Sequence, residues 1–266
     1  MSIAESDQPK TSPGTVRLAV DGPVARITFD RPSARNAMTW RMYEDLAGAC
    51  ATISADPSIR VTVLRGAGGK AFVAGTDIEQ FLAFRSGDDA IEYEKKVEAY
   101  ISGLESLPMP TIAVIDGWAV GGGMAIANAC DFRVAVPGAR FGVPIARTLG
   151  NCLSAANLRR LTATLGLPTV KRMIFLAETP SAEEMPPNYA DVVPAEAVDA
   201  HIEAMCARIA GLAPVTLRST KEALRRLATD PEANGSDLVR QTYGSADFRE
   251  GIEAFLAKRP PQWRGE

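Results

Sequence analysis

Histidine is nearly missing from this chain: His201 is the sole one in 266 residues. That excludes any triad built on an imidazole base and leaves no pair of imidazoles for a zinc site. His201 itself falls among surface-patterned residues of a late helix and reads as solvated or capping. The cysteines are few and scattered: Cys50, Cys130, Cys152 and Cys206 form no CxxC pair. Three of them lie among apolar or small residues, the setting of buried, reduced thiols. No metal is expected. No apolar run approaches the roughly 18 residues that would span a bilayer. The formal net charge of -3 offers no electrostatic case for nucleic acid or an anionic membrane surface. Residues 1–14 are polar, with neither the apolar core of a secretory signal nor the acid-poor, basic character of a transit peptide, so they read as a disordered tail on a cytoplasmic protein.

What remains is ordinary globular composition, 46% hydrophobic and 23% charged. The length suits one large domain, or a domain with a small appendage. Val16 to Val20 and Val24 to Phe29 are β-rich runs separated by Asp21-Gly22, a hairpin signal. Thr39 can cap a helix that carries Met42, Leu46, Cys50 and Ile53 on one face. Val61 to Leu64 is a continuous apolar strand, and the order strand, helix, strand favours a parallel sheet with right-handed crossovers. The charged stretch from Phe81 to Leu107 reads as mostly helical with a solvated face. Phe132 to Val136 and Arg140 to Val143 are further strands. From Ser154 onward only helices are expected, over Ala155 to Leu165, Pro168 to Leu176, Ala195 to Leu212, Pro214 to Ala228 and Asp237 to Lys258, with a capping box at Ser181 and Glu184.

The stretch Thr111 to Asp131 is where chemistry is expected. Thr111 to Ile115 is a β-branched run of the kind buried on both faces, Asp116-Gly117 breaks it, and Gly121-Gly122-Gly123 bares the backbone where a helix could begin. Without Cβ atoms the main chain can approach a ligand closely, and free N–H groups at a helix start favour an anion or an oxygen that becomes anionic. A triple glycine alone is equally well explained by tight packing. A second glycine-bearing element, AFVAGTDI over residues 71–78, supplies a possible second N–H donor.

The two elements together resemble the enoyl-CoA hydratase/isomerase (crotonase) superfamily. The likeness extends to Asp30 through Met38, similar to the loop before that family's first helix, to Phe141-Gly142-Val143-Pro144, and to the C-terminal SADFREGIEAFLAKRPPQWRG. It covers the chain from about Val16 to the end. The resemblance implies an α/β crotonase-like (ClpP/crotonase) spiral of ββα units over residues 15–200, with a C-terminal helical trimerisation region over 201–266. It further implies a homotrimer or dimer of trimers that acts on acyl-CoA thioesters, coenzyme A entering as part of the substrate and no cofactor bound covalently.

Carried over residue by residue, the resemblance assigns the oxyanion hole to the backbone N–H groups of Thr76 and Gly122. Arg35, Asn36, Ala37 and Ala74, with the adjoining Asp77 and Ile78, would hold coenzyme A, and Phe255 and Lys258 would contribute from a neighbouring subunit. Asp77 also reads as a helix cap. A hydratase of the family carries two glutamates, and here those positions are Ala125 and Ile145. No carboxylate except Asp131 lies between Gly117 and Leu176. Hydration through two glutamates is therefore not open to this chain.

Candidates to replace them follow Pro144. Arg147, placed in an apolar pocket wall, would need an anionic partner, which could be a substrate carboxylate. Cys152 reads as a small buried residue ahead of a catalytic one, and Ser154 as a cap for the next helix. Three readings stay open. The chain is nominally an enoyl-CoA hydratase, with a decarboxylase using Arg147 as its sharper form. It is a non-catalytic acyl-CoA binder. Or it is an isomerase or hydrolase using Glu79, Glu98 or another acid from the Phe81 to Leu107 region.

Overall fold

The computed structural model describes residues 13–266, so all but the last two residues of the expected tail lie outside the described part. Strands β1 (Thr15–Asp21) and β2 (Val24–Asp30) form the expected antiparallel hairpin, with Asp21 opposite Val24 across a turn at Gly22-Pro23. Helix α1 (Trp40–Ala55) follows. Thr39 caps it by accepting from the Met42 N–H, and Met42, Leu46, Cys50 and Ile53 are buried at the expected helical spacing.

Three ββα turns come next. β3 (Val61–Gly66), β4 (Ala71–Val73) and α2 (Gly87–Glu105) make the first, with a 3-10 helix over Ile78–Ala83 between the last two. β5 (Thr111–Ile115), β6 (Trp118–Val120) and α3 (Gly122–Ala129) make the second. β7 (Phe132–Ala135) and β8 (Arg140–Gly142) lead through a single-turn helix α4 (Ile145–Thr148) into α5 (Ala155–Phe175). The long strands pair in the order β1-β2-β3-β5-β7 and the short ones as a separate parallel sheet β4-β6-β8. Successive turns therefore stack, which is the spiral of the crotonase fold.

Alternation along the long strands builds two cores. Val61 and Val63 of β3, Ile112 and Val114 of β5 and Val134 of β7 pack under α6 (Val198–Ala210), against Val198, Ile202, Cys206 and Ile209. Side chains on the opposite face, Leu64, Ala113 and Ile115 among them, join the larger core with α1, α2 and α3.

The structure departs from the sequence reading in several places. β4 and β6 are three-residue strands, too short to show a period of two, and the sequence alone leaves them as turn and loop. A further strand, β9 (Asp191–Val192), joins the long sheet beside β7 in the part expected to be all helix. The helices expected over Ala155–Leu165 and Pro168–Leu176 run on as α5 with a kink at Gly166, whose φ is 74°. The single helix expected from Asp237 to Lys258 is two, α8 (Ser236–Tyr243) and α9 (Ala246–Leu256), which follow α7 (Pro214–Thr229). Gly244 closes α8, and the Ser245 side chain caps α9 by accepting from the Phe248 N–H.

Candidate functional site

The loop after β4 and the start of α3 meet. The Met38 N–H donates to the Gly75 carbonyl and the Asp77 N–H to the Met38 carbonyl, both at 2.9 Å. Those bonds take up the peptide groups on either side of Thr76, and the alternation of an extended chain turns Thr76's own N–H to the other side. Gly121 has a φ of 54°, open to glycine without strain, and its N–H is bonded to the Gly142 carbonyl at 3.0 Å. Gly122 is then the first residue of α3, with no intrahelical acceptor for its N–H. A Cβ on Gly122 would stand 3.5 Å from the Gly75 carbonyl carbon, which is bonded to the Thr76 nitrogen, and 2.9 Å from the Tyr43 hydroxyl. One on Gly123 would meet the Val73 carbonyl oxygen at 1.9 Å. The glycine run thus brings a helix N-terminus against a neighbouring backbone at a distance no other residue permits.

Thr76 is held by its side chain. Its Oγ1 lies 2.9 Å from the Tyr43 hydroxyl of α1 and 2.9 Å from the Tyr93 hydroxyl of α2. Burial pushes both phenols above their ordinary pKa, so they stay neutral hydroxyls at any physiological pH. The Tyr93 ring is fixed edge-on against Trp40, Phe81 and Phe84.

These groups border a cavity of ≈ 360 Å³ whose lining includes Thr76, Gly122, Val97, Leu149 and Leu153. Ala74 and Ile78 lie on it as well. So do Ala125 and Ile145, so the two positions where acids were expected face the cavity and present only carbon. The lining contains one carboxylate, Glu94 of α2. Its pKa is raised. Burial is the main cause; the Ser154 hydroxyl and N–H, which face the carboxylate without closing a well-formed hydrogen bond, pull the other way, and the charge of Glu98 adds to the rise. Glu94 lines the same cavity as Tyr43, Thr76 and Tyr93, and its charge in turn raises both phenols.

Glu94 is a residue the sequence reading did not name, although it looked to this helix for an acid. The signal was present. Glu94, Val97, Ile101 and Leu104 follow the helical spacing of a buried stripe, and the last three are buried. A glutamate at one place in an otherwise apolar stripe faces either a partner or a cavity.

Other expectations need correction. Arg147 is exposed on α4 and does not line the cavity, because the short helix turns it to solvent; the apolar wall expected around it is absent. Cys152 is exposed rather than a small buried residue and does not line the cavity, although its neighbours Asn151 and Leu153 do, whereas Cys50, Cys130 and Cys206 are buried. Glu98 is not solvated: its two oxygens take Nη1 and Nη2 of the buried Arg160 at 2.8 and 2.5 Å. Glu79 is exposed. Ser154, as expected, caps α5, accepting from the Asn157 N–H at 3.3 Å.

Among the residues assigned to coenzyme A, Asn36 is fully buried. Its Oδ1 accepts from the Arg31 N–H and its Nδ2 donates to the Ala67 and Ala71 carbonyls, so this side chain ties the loop together and has no face for a ligand. Arg35 is exposed and its carbonyl accepts from the Ala74 N–H, which sets residues 35–37 beside the cavity segment. Asp77 accepts from the Glu79 N–H as a cap and pairs with the buried Arg31 at 2.7 Å. Phe255 is 83% exposed and borders a different cavity, with Phe248, Ile252 and Trp263. Lys258 is exposed, with a φ of 54°. His201 lies 3.4 Å from Asp191, far in sequence from any lining residue.

A ββα spiral whose turns converge on an apolar cavity, floored by two glycine-bearing backbone segments, defines a crotonase-type protein. The family model described as enoyl-CoA hydratase/isomerase matches residues 20–266, and the chain belongs to that family. It is 32% identical over 258 residues to a probable enoyl-CoA hydratase of Bacillus subtilis (strain 168), covering 94% of this chain and 99% of that one. With the (E)-benzylidenesuccinyl-CoA hydratase of Thauera aromatica the identity is 33% over 272 residues, covering 94% and 99%. Among solved structures, an enoyl-CoA hydratase/carnithine racemase from Magnetospirillum magneticum superimposes with a TM-score of 0.88 at 34% identity, over 95% of this chain and 96% of that one. No helix among the described residues is long and apolar enough to cross a membrane.

Proposed function

We propose that this protein binds an acyl-CoA thioester with its carbonyl oxygen between the N–H groups of Thr76 and Gly122, and stabilises the enolate that forms when a proton leaves the adjacent carbon. The observation that carries the reading is the close approach of Gly122 to the Gly75-Thr76 peptide at the edge of the cavity. Two fixed donors aimed at one oxygen are strongest where charge develops, and a cavity walled mostly by carbon strengthens them further. Nominally this is an enoyl-CoA hydratase. Water addition by a pair of glutamates is not its route, because Ala125 and Ile145 hold neither a proton nor a lone pair for the work.

We further propose that it assembles as a trimer or dimer of trimers. Large apolar side chains left exposed on the C-terminal helices, Leu224, Val239, Tyr243, Phe255 and Leu256, support an interface there. Sedimentation equilibrium giving a single-chain mass would reject it.

The oxyanion reading is tested by paired ligands. An acyl-CoA and its thioether analogue, which lacks the carbonyl, should differ by two hydrogen bonds, about 1 to 3 kcal/mol or roughly fivefold to 150-fold in Kd by calorimetry. Acetoacetyl-CoA should show an increased enolate absorbance when bound. Equal Kd values for the pair, with no spectral change, would reject the site.

A further inference from the structure

Proton transfer at an acyl carbon needs a group that is free, ionisable and placed beside the oxyanion. The cavity wall offers three ionisable side chains: Tyr43, Tyr93 and Glu94. Both phenols are engaged with Thr76 and are held neutral. They position the loop that carries one N–H donor and cannot act as bases. Arg160, the buried cation of this region, is engaged by Glu98 and Glu105. Glu94 has no ion pair among the described residues. It follows Tyr93 directly on α2, and that residue's hydroxyl touches the Thr76 side chain.

We propose that Glu94 is the acid–base group of this enzyme, entering the cavity from α2 and carrying the proton to and from the acyl Cα. The step rests on the thioester pose argued above. A Glu94 oxygen takes the Cα proton, the C–H pair becomes the C1–C2 double bond, and the carbonyl pair moves onto the oxygen between Thr76 and Gly122. Returned to the same carbon, the proton exchanges with solvent. Returned to C4 of a 3-enoyl thioester, it leaves the double bond between C2 and C3. One carboxylate therefore suffices for isomerisation, with no water, metal or co-reactant consumed. The burial that raises the Glu94 pKa suits the task, because it makes the carboxylate a stronger base than an exposed one and lets the resulting acid sit uncharged beside the enolate.

The test uses butyryl-CoA with the full chain in deuterium oxide. Binding is followed by calorimetry and deuterium at C2 by mass spectrometry, for wild type, Glu94→Gln and Glu94→Asp. Wild type is expected to bind and exchange. Glu94→Gln should bind within about threefold, melt no lower than wild type, and exchange at least about 10²-fold more slowly, with Glu94→Asp between the two. Conversion of 3-hexenoyl-CoA to the 2-enoyl isomer should fall in the same order. Exchange by Glu94→Gln at the wild-type rate, or wild-type binding with no exchange, would overturn the assignment. A wild-type protein that binds no thioester would instead overturn the site reading beneath it, and the assignment with it.

Discussion

Arg160→Met separates what holds the cavity wall in place from what does chemistry in it. Arg160 on α5 is 4% exposed and joins α5 to α2 through Glu98, at 2.8 and 2.5 Å, and through Glu105, at 2.9 Å. Burial disfavours its charge, and the two carboxylates more than offset that cost, so its pKa lies above the ordinary arginine value. Methionine fills much of the same volume but leaves both carboxylates facing an uncharged wall. Breaking a buried pair in this way costs 3 to 5 kcal/mol, and because Glu98 and Glu105 keep 28% and 22% side-chain exposure, the lower end applies, about 3 kcal/mol. For a domain of this size that is a fall in Tm of roughly 6 to 12 °C. The triple variant Arg160→Met, Glu98→Gln, Glu105→Gln should recover most of the loss, since a neutral, well-packed replacement of a whole buried ion cluster is often close to neutral in stability. Urea unfolding of both proteins provides the measurement. A loss under 1 kcal/mol in the single variant, or an equal loss in both, would show that the cluster does not work as argued. The same single variant should slow Cα exchange more than it weakens thioester binding, because α2 carries both Tyr93 and Glu94.

Three further outcomes follow from particular contacts. Asn36→Ala removes three hydrogen bonds, two of them buried, and places an aliphatic residue at a φ of 59°, so a stability loss of about 3 kcal/mol is expected in urea titration, with thioester affinity kept in the folded fraction. Glu94→Gln removes a carboxylate whose pKa is raised on folding. Its wild-type contribution is most favourable below the ordinary glutamate value and is lost as pH rises through the folded value, so the variant should be slightly the more stable at neutral pH, by under about 1 kcal/mol given partial solvent screening, and no more stable below pH 4, as thermal melts across pH would read. Native protein should present one fast-reacting thiol to a colorimetric reagent, lost in Cys152→Ser, because Cys152 is exposed while burial raises the Cys50 and Cys130 thiols to about 11 and about 12.

Local chemistry was enough to read the hairpin at Gly22, the Thr39 cap, the apolar face of α1 and the glycine run at the start of α3, since each depends on residues a few places apart, whereas the meaning of Ala125 and Ile145 came only through the family resemblance. The short strands β4 and β6 were not legible, because three residues show no period and their pairing depends on neighbours far along the chain. The direction in which a loop side chain faces was equally out of reach, and Arg147 and Cys152 both point outward where an inward position was expected. Glu94 lies between these cases. Its place in the stripe with Val97, Ile101 and Leu104 was written in the sequence, but that stripe fits a wall packed solid as well as a wall facing empty space. Only the packing of α2 against α1, α3 and the loop before α5 leaves room in front of it, and a void is a property of several segments at once, which no single segment encodes.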